Sequence, residues 1–144
     1  MNDFKLGPVN HIGVAVPDIE AAASHYRENF GATDITAAKN MPEQGVRVLF
    51  VNLPTGQIEL IEPLGEDSPL TKFLQRNPKG GQHHICFEVD DIDRAVAHMK
   101  SRNIRVLGAP RIGAHGTPVV FLHPSDNFGQ LIELMETPKQ REWL

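Results

Sequence analysis

Only one cysteine, Cys86, stands in the 144 residues, so no disulfide can close within the chain. That excludes a small secreted scaffold held by cross-links and makes a reducing compartment the natural setting. Long apolar runs are missing too. Nowhere do about 18 apolar residues follow one another, which excludes a membrane-spanning helix. The first ten residues hold neither an apolar signal core nor an Arg-rich transit pattern, so a cytoplasmic protein is expected. Positive charge is also scarce: 14 Lys and Arg face 18 Asp and Glu, for a net charge of −4. Nucleic-acid binders rely on clustered cations against phosphates, so that partner class drops out. An anionic small ligand stays compatible, because a local basic patch can sit on an acidic protein. Lys39, Arg76, Lys79 and Arg111 are available for one, and nothing in the sequence selects among them.

What is present suits a globular fold. Apolar residues make up 40% and charged residues 22%, enough for one substantial core or two small halves sharing one. A short stretch then occurs twice. Val9-Asn10-His11-Ile12-Gly13-Val14-Ala15-Val16 is matched by Gln82-His83-His84-Ile85-Cys86-Phe87-Glu88-Val89. Both read as strands, with apolar residues at every second position. Each runs into an acidic helix start, Asp18-Ile19-Glu20 and Asp91-Ile92-Asp93, and His11 and His84 lie 73 positions apart, as do Asp18 and Asp91. A second pair of stretches carries Glu59 and Glu133, 74 positions apart. The chain therefore reads as one module used twice, too few copies for a solenoid.

The order within each half predicts a βαβββ unit. In the first, residues 1–8 read as an arm and strand 9–16 is followed by a helix capped by Asp18 and stopped by Gly31. Ile19, Ala22, Tyr26 and Phe30 form that helix's apolar stripe. A strand is expected in the 32–37 region, a loop over 36–45, and a hairpin of strands 46–53 and 57–62. Residues 63–81 join the halves, with a short helix capped by Ser68 and opened by Pro69. The second half repeats the plan: strand 83–89, helix 91–103, short strand 104–107, loop 108–117, and strands near 118–123 and 130–135. Its hairpin, Pro124 to Gly129, is about three residues longer than its counterpart. A tail at 137–144 holds the only Trp and reads as an appendage.

Strand parity sets where the doubled polar residues point. His11 shares a face with Gly13 and Ala15, opposite Ile12, Val14 and Val16, which must pack on the helix. His84 shares its face with Cys86 and Glu88, while Glu59 and Glu133 stand opposite their apolar neighbours. All four thus project from the non-helical side. Two imidazoles and two carboxylates suit a divalent first-row metal with open positions for substrate or water. Taken singly, a strand His is more often structural and an alternating Glu is more often a wet face. Duplication preserves idle residues as well: His25 and His98 also lie 73 apart, and both are expected to be solvated, mid-helix. The residues alone leave both readings open.

Across residues 9–136 the sequence resembles the vicinal oxygen chelate superfamily and, within it, the methylmalonyl-CoA epimerase family. The stretches that carry the resemblance begin with Val9-Asn10-His11-Ile12, Pro42-Glu43-Gln44-Gly45-Val46 and Ile58-Glu59-Leu60-Ile61-Glu62-Pro63-Leu64-Gly65. Gly80-Gly81-Gln82-His83-His84-Ile85-Cys86, Arg111-Ile112-Gly113-Ala114-His115-Gly116 and Leu131-Ile132-Glu133-Leu134 complete them. The resemblance implies an α+β fold of two tandem βαβββ modules, 9–62 and 83–136, forming a curved mixed sheet around a metal-binding cleft in a single 1–144 domain. It implies metal ligands at His11, Glu59, His84 and Glu133, with His84 preferred over His83 because it aligns with His11 before Ile. One divalent ion per chain is implied, Co2+ ahead of Zn2+, Mn2+ or Ni2+, and a homodimer is the family expectation. The implied reaction is inversion at C2 of methylmalonyl-CoA, an acyl-CoA of propionate metabolism, through a metal-stabilised enolate. Glu43 and Glu133 are the implied acid/base pair, Glu133 being ligand as well. Relatives commonly read Pro-Glu-His-Gly where Gln44 stands here. His115 is expected to touch substrate or satisfy a turn, His123 to be structural, and Cys86 to line the cleft without acting as a nucleophile. A glyoxalase-like isomerase on the same ligands, or a metal-free binding protein of the bleomycin-resistance type, are the competing readings.

Overall fold

The computed structural model describes residues 3–138, so most of the tail, with Trp143, lies outside the described residues. The chain divides into two compact units. One comprises residues 11–83; the other joins residues up to 10 with those from 84 onward. The division falls inside two strands, β1 (Leu6–Ala15) and β5 (Gly81–Val89).

The 11–83 unit adds α1 (Ile19–Phe30), β2 (Lys39–Met41), β3 (Val46–Leu53), β4 (Gly56–Pro63) and α2 (Thr71–Arg76), with strand order β2-β3-β4-β1. β1 runs parallel to β4, and the β2–β3 and β3–β4 pairs are antiparallel. Asp18 caps α1, its Oδ1 accepting the N–H groups of Glu20 and Ala21 at 3.1 Å each. Gly31, at φ +68°, closes the helix in the left-handed region that glycine enters without a Cβ penalty. Val16, Ile19, Ala23, Leu49, Val51 and Leu60 form the core. Each buried aliphatic side chain of Val, Leu or Ile size contributes about 1.5–3 kcal/mol. Ala23 takes a buried place on the helix stripe, whereas Phe30, expected there, is 71% exposed. Phe30 closes the last turn and lies against the rings of His25 and Tyr26 instead.

Three local expectations are overturned here. The strand expected at 32–37 is reduced to a single bridge between Ile35 and Val51. The segment expected as a loop holds β2, paired with Val46–Val48, and a 3₁₀ turn over Pro42–Gln44. Lys39-Asn40-Met41 has no strand pattern of its own; a tight return through Gly45, at φ +69°, lays it on β3. The helix in the joining segment opens at Thr71 with Leu70 at its N-cap. Ser68 works one turn earlier, its Oγ accepting the Leu70 N–H at 3.2 Å.

The second unit carries β5, α3 (Ile92–Ser101), β6 (Val106–Ile112), β7 (Pro118–Leu122) and β8 (Ile132–Glu136), in the order β5-β8-β7-β6. Its core is Phe4, Val89, Ile92, Ala95, Val120, Leu122, Ile132 and Leu134. The N-terminal arm is therefore not an arm: Leu6 to Pro8 begin β1, and Phe4 is buried with its ring edge-on to His98, 5.6 Å away. His98 is half-buried by that contact, not solvated, while His25 stays exposed and meets Asn29 Nδ2 at 2.9 Å. β6 extends through Ile112 into the expected 108–117 loop, its register shifting between Leu107 and Arg111. An edge strand tolerates Pro110 and such a bulge, which is why the pattern there read as loop. In the long β7–β8 connection the Arg105 guanidinium hydrogen-bonds Asp126 and holds its carboxyl down at about 2.

A third doubled pair emerges from the coordinates. Glu62 Oε1 accepts the N–H of Ile19 at 3.0 Å, and Glu136 Oε1 accepts that of Ile92 at 3.1 Å. Each β4-type strand end thus holds the first residue of its own unit's helix. Glu62→Ala and Glu136→Ala should each lower stability by about 1–2 kcal/mol in urea denaturation. Wild-type midpoints in both variants would mean that Asp18 and Asp91 cap the helices alone.

Candidate metal centre

In the 11–83 unit, parallel pairing sets Gly13 beside Glu59 and Ile12 beside Ile58. His11, two residues before Gly13, shares the face of Glu59, and its Nε2 lies 3.7 Å from Glu59 Oε1. The other face of β4 carries Leu60 into the core. The second unit repeats this: Cys86 pairs with Glu133, and His84 Nε2 lies 3.2 Å from Glu133 Oε1. Ile132 and Leu134, on the opposite face, belong to the core. The two histidines are 2% and 5% exposed, and both glutamates 8%. Cys86 is fully buried among Val119 and Met135. His83 points the other way and meets Phe73 edge-on at 5.2 Å.

The chemistry of these groups fits a cation. An ionised carboxylate taken out of water costs several kcal/mol unless opposite charge compensates it. Each unit buries one such carboxylate with an imidazole nitrogen facing it, and all four side chains are candidate ligand groups. Nitrogen and oxygen donors of this kind suit borderline first-row divalent ions.

Glu43 is exposed on the Pro42–Gln44 turn, which Gly45 terminates. A Cβ at Gly45 would come within 3.1 Å of Pro69 Cδ, and the Gly45 carbonyl accepts the Leu64 N–H at 2.9 Å, so the turn is anchored at its base. His115 is half-buried in the turn between Gly113 and Gly116. His123 is structural, its Nδ1 accepting the Ser125 N–H at 3.0 Å. Lys39, Arg76, Lys79 and Arg111 are all exposed.

Three features escaped the sequence. Glu88 is 1% exposed and accepts a hydrogen bond from Asn10 Nδ2 at 3.0 Å. Phe50 stands opposite Glu59 and Phe121 opposite Glu133 across antiparallel strands. The two rings lie 71 positions apart, not 73 or 74, because the second hairpin is about three residues longer. Correcting the offset for that insertion would have revealed the pair.

Residues 10–121 match the family described as the Glyoxalase/Bleomycin resistance protein/Dioxygenase superfamily. An ethylmalonyl-CoA/methylmalonyl-CoA epimerase of Cereibacter sphaeroides is 53% identical over 131 residues, 90% of this chain and 97% of that protein. The mitochondrial methylmalonyl-CoA epimerase of Homo sapiens is 52% identical over 132 residues, 91% of this chain and 74% of that protein. Among solved structures, a variant Streptomyces coelicolor methylmalonyl-CoA epimerase in complex with 2-nitronate-propionyl-CoA matches with a TM-score of 0.86. The identity there is 34%, over 94% of this chain and 97% of that one. With two βαβββ repeats, this extent of identity and this fold match, the chain belongs to the glyoxalase-like superfamily and, within it, to the methylmalonyl-CoA epimerases.

Proposed function

We propose that this protein interconverts the (R) and (S) forms of methylmalonyl-CoA by moving the proton on C2. The observation that carries the reading is the buried His–Glu pair, present twice in a chain more than half identical to epimerases of that substrate. His11, Glu59, His84 and Glu133 are the ligands we assign to one divalent ion, with Co2+ first among Zn2+, Mn2+ and Ni2+. When bound, such an ion supplies Lewis-acid stabilisation of the negative charge that develops on the enolate. By family likeness the active assembly is a homodimer.

The C2 proton lies between a thioester and a carboxylate and is only weakly acidic. Inversion needs one group to take it from one face and another to deliver a proton to the opposite face. Each such group contributes about 10²–10⁴-fold. We assign these roles to Glu43 and Glu133. Glu43 is exposed on its anchored turn, where its carboxylate can exchange protons with water. Glu133 is buried beside His84, and serving as a ligand lowers its basicity, so its proton transfer is the weaker of the two.

Incubation with methylmalonyl-CoA in deuterated water tests this. Wild type should exchange the C2 proton and invert the centre, and both activities should vanish with chelator or in His84→Ala. Glu43→Gln should lower inversion by about 10²–10⁴-fold, while exchange from the face served by Glu133 persists. Full exchange after complete removal of metal, or inversion undiminished in Glu43→Gln, would contradict the mechanism.

A further inference from the structure

We propose that Phe50 and Phe121 are positioning residues, each holding the imidazole of its own unit so that Nε2 faces the carboxylate. The inference rests on the reading of the His–Glu pairs as metal ligands. Phe50 is the direct cross-strand partner of Glu59, and Phe121 of Glu133. Residues opposed in this way on antiparallel strands share one face, with Cβ atoms about 4.5–5.5 Å apart. Each ring therefore fills the slot beside a glutamate. From that slot it meets the histidine: Phe50 and His11 have ring centroids 6.2 Å apart at 72°, Phe121 and His84 5.5 Å at 83°. Edge-to-face contacts of this kind prefer a narrow range of ring angles. An imidazole rotated about χ2 out of this plane would swing Nε2 away from the carboxylate, so holding the ring plane holds the donor's direction.

Neither ring belongs to a helix-packed core. Phe50 stands between Leu49 and Val51, which are buried under α1, and points to the other face. Phe121 stands likewise between Val120 and Leu122. Both are only half-buried. Comparison of the repeats separates retention for a purpose from mere inheritance. On the same face, Gly13 is matched by Cys86 and Ala15 by Glu88, so this surface has diverged between the two copies. The His, Glu and Phe arrangement is kept in both copies, as is the buried valine, Val48 or Val119, two residues before each Phe.

The test follows metal loss from the holoenzyme, loaded with Co2+, into excess chelator, together with the urea midpoint of the stripped protein. Phe50→Leu and Phe121→Leu should each release metal about 10-fold faster, with the stripped midpoint at the wild-type value. Phe50→Tyr and Phe121→Tyr, which keep the ring edge, should retain metal like wild type. Wild-type release in both Leu variants would overturn the proposal. So would faster release accompanied by an equal fall in the stripped midpoint, or Tyr variants as leaky as the Leu ones. A wild-type protein that takes up no ion would sink the metal reading itself, and this inference with it.

Discussion

Two carboxylates kept from water are the constraint around which the molecule is arranged. Glu59 and Glu133 are each 8% exposed, far below what an uncompensated charge tolerates, and each faces an imidazole across a parallel strand pair. Parallel neighbours need a crossover connection, and here α1 and α3 are those connections. The helix packs one face of its strands, and the polar pair is left on the other. The covering helix and the polar pair are thus two sides of one topological fact. Packing decides the parity, and parity decides where the donors go.

The repeats show which parts of the module cannot change. Each helix start is held twice, by an aspartate at its own N-cap and by a glutamate at the far end of the strand beside it. The glutamate contacts tie the helix to the strand that bears Glu59 in the first copy and Glu133 in the second. Elsewhere the copies differ freely. The first turns tightly through Gly45 and carries the exposed Glu43; the second spans the same stretch with a bulged edge strand ending at Ile112. The symmetric parts hold the four residues proposed as ligands, of which Glu133 is also assigned proton transfer, and the asymmetric turn carries Glu43, assigned the other proton transfer.

Much of this was legible in the residues. Strands β1, β3, β4 and β5 announce themselves by alternation, and Asp18, Gly31 and Asp91 mark helix ends by their capping chemistry. Parity and a near-constant offset mark His11, Glu59, His84 and Glu133 as buried polar residues on the non-helical face of their strands, and the proposal that they are ligands rests on the family likeness. What the sequence hid depends on neighbours, not on local pattern. β2 exists because Gly45 folds Lys39–Met41 onto β3, and Phe4 is buried because the N-terminal segment packs with the second repeat. Phe50 and Phe121 were masked by a hairpin insertion that shifts their spacing. Asn10 and Glu88 meet only through tertiary packing, 78 positions apart in sequence.

We propose that His11, Glu59, His84 and Glu133 serve a single ion. Counting ions tests it most directly, by elemental analysis of Co2+-loaded protein after gel filtration, for wild type, His11→Ala and His84→Ala. A single shared ion predicts one per chain in wild type and almost none in either variant. Two per chain in wild type and one in each variant would contradict it, because each pair would then hold an ion of its own.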